Sequence, residues 1–285
     1  MSVREPRRRI VFILLVWVSL SLSACSHQTE KPSEIYKTLS YSAASSLYTG
    51  AWWQPEPGTT WQWQLSGEVD TSLHVDMIDI DLFDTPADLI DELHESGHVV
   101  VCYFNAGSRE NWRPDTADFP PEVVGKKMQD WAGERWLDIR RNDELTSIMI
   151  ARLDLAVEKG CDGVEPDNVD GYQNRTGFPL MADDQLAYNI WLAEQAHRRG
   201  LSIGLKNDLD QVKELEPYFD WALNEQCFEY EECEKLLPFV GAGKAVFGVE
   251  YYLDVDEFCD QANAMNFSWL RKELVLGVWG EACWE

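Results

Sequence analysis

The chain has 285 residues, enough for one sizeable barrel or sandwich or for two small domains. Its formal net charge is −26, and residues 1–24 carry four Arg against one Glu, so the remainder stands near −29. Such a chain repels nucleic acid and anionic surfaces and attracts polycations, which argues against a nucleic-acid partner.

Residues 1–24 read as a lipoprotein signal peptide. Arg4, Arg7, Arg8 and Arg9 form a basic n-region, and Ile10 to Leu20 an apolar h-region too short to span a bilayer. Leu22-Ser23-Ala24-Cys25 resembles a lipobox, so cleavage is expected before Cys25, which would carry the lipid and tie the chain to a membrane. Ser26 after the Cys favours the outer membrane where a cell has two. Residues 25–46 are polar and aperiodic, as in a flexible tether, and 47–285 form the folded domain.

Export would permit disulfides. Six cysteines remain after Cys25, and six allow 15 pairings. Cys227 and Cys233, close in sequence and flanking a loop, are the first expected pair, with Cys259 and Cys283 second. Cys102 and Cys161 lie in or beside strands and read as buried thiols.

Short apolar runs then alternate with helical patterns. Strands are expected at Trp61–Leu65, His74–Asp79 and His98–Phe104, with a helix over Pro86–Ser96 between the last two. Glu144–Lys159 is an amphipathic helix stopped by Gly160, and a fourth strand opens at Gly163. Leu186–Arg199 is a helix, followed by strands at Leu201–Leu205, Trp221–Leu223, Ala245–Val249 and Leu274–Val278. Helices between apolar strands imply right-handed βαβ units. Eight such strands point to a single α/β domain, a TIM-type (β/α)8 barrel.

In such a barrel the reacting groups stand at the C-terminal strand ends. Those ends carry Asp79 and Asp81, then Tyr103 and Asn105, Glu165 with Asp167, Lys206 and Asn207, Glu225, and Glu250 to Tyr252. Acids, amides and aromatics converging on one rim suit sugar chemistry. Glycoside cleavage needs two carboxyl groups, one to protonate the leaving oxygen and one to attack carbon or activate water. Asp167 and Glu225, two strands apart, fit that requirement, and Lys206 between them would tune their protonation. No glycine-rich phosphate loop follows the first strand, and neither a cofactor nor a metal is expected. His94-Glu95-Ser96-Gly97-His98 matches H-E-x-x-H, but Gly97 ends the helix, so the two His cannot share a helix face.

The runs Trp112-Arg-Pro-Asp115, Trp136-Leu-Asp-Ile-Arg140, Ala151-Arg-Leu-Asp-Leu-Ala156 and Gly163-Val-Glu-Pro-Asp-Asn-Val-Asp-Gly-Tyr172 resemble the endo-α-1,4-polygalactosaminidase family of glycoside hydrolases. So do Thr176-Gly-Phe-Pro179, Gly204-Leu-Lys-Asn-Asp208 and Asn224-Glu-Gln-Cys-Phe228. The resemblance implies a (β/α)8 barrel that hydrolyses α-1,4-linked galactosamine chains, with Asp167 and Glu225 as its catalytic pair. By analogy with related α-specific barrels, Asp167 is the nucleophile and Glu225 the acid/base of a retaining reaction. A cationic amino-sugar polymer suits the acidic rim. Asp79, Asp81 and Glu250 are then candidate amine contacts, Trp53, Tyr103 and Tyr252 candidate stacking rings, and Asn105, Lys206 and Asn207 further candidate contacts. The rival reading is a non-catalytic, polysaccharide-binding lipoprotein of the same fold.

Overall fold

The computed structural model describes residues 51–284. The signal peptide, the lipobox with Cys25 and the tether lie outside them.

Eight strands run parallel in one sheet: β1 (Trp61–Gln64), β2 (Met77–Asp81), β3 (Val99–Asn105), β7 (Gly163–Asp167), β8 (Ser202–Lys206), β9 (Trp221–Glu225), β10 (Val246–Glu250) and β11 (Ser268–Lys272). Strand β12 (Gly280–Ala282) adds antiparallel to β11. Six helices pack outside: α1 (Ala87–Glu95), α2 (Asn142–Lys159), α3 (Ala182–His197), α4 (Val212–Leu215), α5 (Leu237–Gly241) and α6 (Val255–Ala264). Between β3 and β7 the chain also builds a three-stranded antiparallel sheet, β4 (Ser108–Glu110), β5 (Val124–Lys127) and β6 (Glu134–Leu137), in the order β4-β6-β5. Helix α2 stops where expected, with Gly160 in the left-handed conformation at φ 90°.

Alternation along each strand separates two cores. One side chain in two points to the helices: Ile78 and Ile80 on β2, Val100, Cys102 and Phe104 on β3, Ile203 and Leu205 on β8. The others point inward, where Trp61, Trp63, Met77, Val101, Trp221 and Phe247 fill the barrel. Gly204 makes room for this packing, since a Cβ there would lie 2.2 Å from the Trp221 ring.

The sheet curls into a TIM-like barrel, but β1 and β11 share no ladder. Side chains bridge this seam: Trp61 Nε1 donates to Ser268 O at 2.9 Å and Lys272 Nζ to Gln62 Oε1 at 2.8 Å. The expected eighth strand at Leu274–Val278 is corrected here. That run is the seam filler, with Leu276 O accepting from Leu65 N at 2.9 Å, and Ser268–Lys272 is the strand.

The six cysteines of the described residues form Cys227–Cys233 and Cys259–Cys283, the two expected pairs, and also Cys102–Cys161. The reading of Cys102 and Cys161 as free thiols is therefore overturned. Cys102 faces outward from β3, and Cys161 enters the adjacent β7, so neighbouring strands bring them to a Cα distance of 6.0 Å.

Candidate active site

Three adjacent strands deliver the reactive groups. Strand β7 ends in Glu165 and Asp167, β8 in Lys206, and β9 in Glu225, all inward-facing by alternation. Immediately beyond each, the backbone turns into the left-handed region: Asn168 at φ 59°, Asn207 at 51°, Asp208 at 43°, Gln226 at 66°. Non-glycine residues held there cost free energy, and their clustering at one rim marks a geometry the surrounding structure enforces. Gly107 belongs to the same packing. A Cβ there would lie 1.7 Å from Asn168 O, so only glycine lets the chain after β3 pass so close to the turn beyond Asp167.

Lys206 joins the groups. Its Nζ lies 2.8 Å from Glu165 Oε1, 3.2 Å from Asp167 Oδ1 and 3.3 Å from Glu225 Oε2. The oxygens of Asp167 and Glu225 that share this ammonium are therefore less than twice 3.3 Å apart. Exposure divides the three acids: Glu165 is fully buried, whereas the side chains of Asp167 and Glu225 are 20% and 26% exposed. A ligand entering from the rim meets the latter two.

Each exposed carboxylate has its own donors. Asp167 accepts from Tyr103 OH at 2.9 Å and from Asn168 N at 2.7 Å. Glu225 accepts from Tyr251 OH at 2.5 Å and from Asn207 Nδ2 at 3.2 Å. Burial first, then the neighbouring carboxylate, pushes both phenols well above the usual tyrosine range, so they remain neutral donors.

Beneath this layer, Trp63 Nε1 donates to Glu165 Oε2 at 3.0 Å, and the Lys206 ammonium stands 4.5 Å from the Trp63 ring centroid. Asp79 is fully buried beside Glu165, and burial followed by the Glu165 charge drives its pKa well up. A protonated Asp79 next to a Glu165 carboxylate held by Lys206 lowers the cost of three acids around one cation. Burial raises Lys206's acidity, but the surrounding carboxylates outweigh it and keep it protonated.

Several expected contacts are corrected by burial or position. Asp79, Glu250 and Asn105 have no exposed surface. Glu250 Oε1 accepts from Phe228 N at 2.9 Å, and Asn105 bridges Glu134 Oε2 and Ser108 N at 2.9 and 2.7 Å. Asp81, 5% exposed, is taken by Arg113 Nη1 at 2.8 Å, while Arg113 Nε donates to Glu110 Oε1. These three acids and the amide brace the rim from behind. Trp53 is at the wrong end: Trp52 Nε1 bonds Asp220 Oδ1, and Ala245 N bonds Pro55 O, both just before strands β9 and β10 begin. Lys206 is 2% exposed and meets carboxylates. Tyr103 presents its hydroxyl to Asp167, Asn207 lies against Glu225, and Tyr252 is 64% exposed on the rim. His94 and His98 have separate partners, Asp162 Oδ2 and Val75 O.

Sequence reasoning gave no role to Tyr251, although its neighbour Tyr252 was singled out. It gave none to Glu134, on the unforeseen small sheet, which accepts from Ser108 Oγ at 2.7 Å and is raised to about 7, first by burial and then by Asp167. Two of the distinctive sequence runs meet here: Arg152 donates to both oxygens of Asp115 at 2.7 and 2.9 Å.

Residues 42–285 match the sequence profile described as glycoside-hydrolase family GH114. Among solved structures, the Aspergillus fumigatus protein Ega3 in complex with galactosamine is 42% identical, with a TM-score of 0.79 over 83% of this chain and 99% of that one. The glycoside hydrolase domain of PelA from Pseudomonas aeruginosa is 12% identical, with a TM-score of 0.64 over 78% and 98%. Eubacterium rectale Amy13B is 11% identical, with a TM-score of 0.52 over 81% and 68%; these two share the fold alone. Comparison with curated proteins gives no match.

Proposed function

The chain belongs to glycoside-hydrolase family GH114, and from that premise we propose that it cleaves α-1,4-galactosaminidic bonds in a galactosamine-containing matrix polysaccharide. Asp167 is the nucleophile and Glu225 the acid/base. The observation that carries this reading is the convergence of these two part-exposed carboxylates on the one buried ammonium of Lys206.

Retaining enzymes hold their carboxyl groups about 5–5.5 Å apart and inverting ones about 6.5–9.5 Å. The limit set by Lys206, under twice 3.3 Å between one oxygen of each carboxylate, admits the closer spacing, and the retaining outcome rests on the analogy with related α-specific barrels. Glu225 gives its proton to the glycosidic oxygen while Asp167 Oδ attacks the anomeric carbon, which forms a glycosyl-enzyme and frees the leaving chain. Glu225, now a carboxylate, takes a proton from water, whose oxygen displaces Asp167. Tyr103, Asn168 N and Asn207 fix the carboxylates for attack, in keeping with the gain from preorientation. The galactosamine of the Ega3 complex supports the amino-sugar class, as does a net charge of −26.

The fold is read as a single (β/α)8 barrel occupying residues 47–285. It is placed at the cell envelope by a lipid on Cys25, in the outer membrane where there are two, with residues 1–24 removed and 25–46 as tether. Metabolic labelling with a tagged fatty acid that is lost in Cys25→Ala tests the anchor.

The activity is tested by reducing-end release from partially deacetylated α-1,4-galactosaminogalactan, beside Asp167→Asn and Glu225→Gln. Loss by about 10³-fold or more in both variants is expected, since each carboxyl is needed to lower the barrier. Binding without release by the wild type would favour a non-catalytic polysaccharide-binding protein.

A further inference from the structure

The strongly exposed aromatic rings of the described residues are Trp112, Trp131, Tyr230, Tyr252 and Trp279. Each belongs to a connection that leaves the C-terminal end of a barrel strand: the β3–β7 excursion, the segments after β9 and β10, and the β11–β12 link. The opposite face carries none of them. Aromatics are normally core anchors, so exposure confined to the face with the reactive carboxylates calls for a ligand rather than packing.

Trp112 and Trp131, 52% and 49% exposed, both lie on the β3–β7 excursion. The Trp112 ring lies over Gly133, where a Cβ would come within 2.8 Å of Cζ3, and Glu134 N bonds Trp131 O at 3.2 Å. Both indoles thus flank one turn of the small sheet. That sheet is fastened to the strand carrying Asp167. Ala106 N and Gly107 N donate to Asp167 O at 2.9 and 3.0 Å, and Glu134 binds Asn105 and Ser108 at the sheet's base. On the far side of the carboxylate pair, Tyr252 follows Tyr251, the donor to Glu225. Aromatic surface therefore borders the pair on both sides, with the exposed Asp130 next to Trp131.

We propose that Trp112 and Trp131 form a distal sugar-stacking platform on the Asp167 side of the cleft, which grips an amino-sugar polysaccharide beyond the residue being cleaved. This rests on the substrate reading above. The occupant is a polysaccharide because the pair stands on the excursion hydrogen-bonded to the Asp167 backbone, presents flat apolar faces that match the C–H faces of sugar rings, and has the exposed Asp130 beside it for an ammonium. Gripping sugars far from the scissile bond favours long chains over short ones, since remote contacts add binding energy that a short substrate cannot use.

The full chain carrying Asp167→Asn, to block turnover, is sedimented with insoluble α-1,4-galactosamine polymer. Adding Trp112→Ala and Trp131→Ala should weaken binding at least about 10-fold, given the size of aromatic contacts. Val157→Ala, exposed on helix α2 away from the cleft, should leave it unchanged. In the active chain, the ratio of kcat/KM on polymer to that on a trisaccharide should fall by a similar factor in the Trp variants. Equal losses on both substrates, or no loss on either, would overturn the platform. Failure of the substrate reading shows separately, as no reducing-end release by the wild type from any galactosamine polymer. The platform is then judged on a β-linked glucosamine polymer and a neutral galactan. Binding that survives removal of both rings, or no binding to either, overturns it.

Discussion

The Lys206 ammonium lies 2.8 Å from Glu165 Oε1, with the two side chains 2% and 0% exposed, so a sealed ion pair underlies the carboxylates that face the cleft. Removing one partner of such a pair strands the other charge in the interior and costs about 3–5 kcal/mol. Lys206→Met should therefore lower unfolding stability by about that amount, and Glu165→Gln by somewhat less, because the ammonium keeps Asp167 and Glu225. The double variant should be less destabilised than the two losses together, since each removes the other's stranded charge. Urea denaturation of the four proteins measures this. A Lys206→Met cost under about 1 kcal/mol would mean that the pair contributes little.

Tyr251 and Tyr103 each give one hydrogen bond to a reacting carboxylate. A hydrogen bond to a charged group is worth about 1.5–3 kcal/mol, or roughly 10- to 100-fold in rate where the group must stay oriented. Tyr251→Phe and Tyr103→Phe are expected to lose kcat by that range while KM changes less, because the phenols hold acids and not sugar. Steady-state kinetics on a soluble oligosaccharide measures the split. A loss confined to KM would move the two tyrosines from orienting the acids to binding substrate.

The positions of Asp167, Lys206 and Glu225 were legible in the sequence because each ends a short apolar run, and alternation then fixes which side chains point inward. What alternation could not give was depth. Asp79 ends the strand expected from sequence and Glu250 ends β10, yet no surface of either reaches the cleft. The eighth strand was misplaced for a related reason. Ser268–Lys272 carries two cations and resembles a surface segment, whereas Leu274–Val278 resembles a strand. Lys272 is nonetheless buried, because Gln62 Oε1 and Gly277 O receive its ammonium across the seam, a tertiary circumstance with no local signature. The three-stranded sheet was missed for want of regular periodicity between Asn105 and Asn142, and the Cys102–Cys161 bond because pairing depends on which strands become neighbours.

Burial leaves several acids with elevated pKa values: Asp208 at about 8, Glu134 at about 7, and Glu250 at about 7. In each, burial is the largest cause. A carboxyl whose folded pKa exceeds its unfolded value binds protons more tightly when folded, so its contribution is fully present below the unfolded pKa, near 4, and is lost as pH rises through the folded value. Thermal stability should therefore decline between about pH 4.5 and 8. Asp208→Asn should flatten the upper part of that decline, since an amide can still accept from Asn189 Nδ2, the donor now 2.9 Å from Asp208 Oδ2. Melting temperatures across that range decide it, and an unchanged slope in the variant would remove Asp208 from the account.

The three disulfides close loops of very different length, with sequence separations of 59, 24 and 6. If cross-links act mainly by restricting the unfolded chain, their worth grows with the logarithm of loop size, at about 3 kcal/mol for 15 residues and about 4.7 for 100. Cys102–Cys161 encloses the small sheet and helix α2, the whole excursion that carries Glu134 and the two exposed indoles. Its removal as Cys102→Ala with Cys161→Ser should cost about 4 kcal/mol, more than the loss of Cys259–Cys283, with Cys227–Cys233 costing least. Cys227–Cys233 has a different consequence, because Cys227 follows Glu225 by two residues and its loop carries Tyr230. Opening that bond should lower turnover more than stability, whereas opening Cys102–Cys161 should do the reverse. Denaturation and initial-rate measurements on the two paired-cysteine variants separate these outcomes. The same ranking in both assays would mean that the short loop does not help to set the position of Glu225.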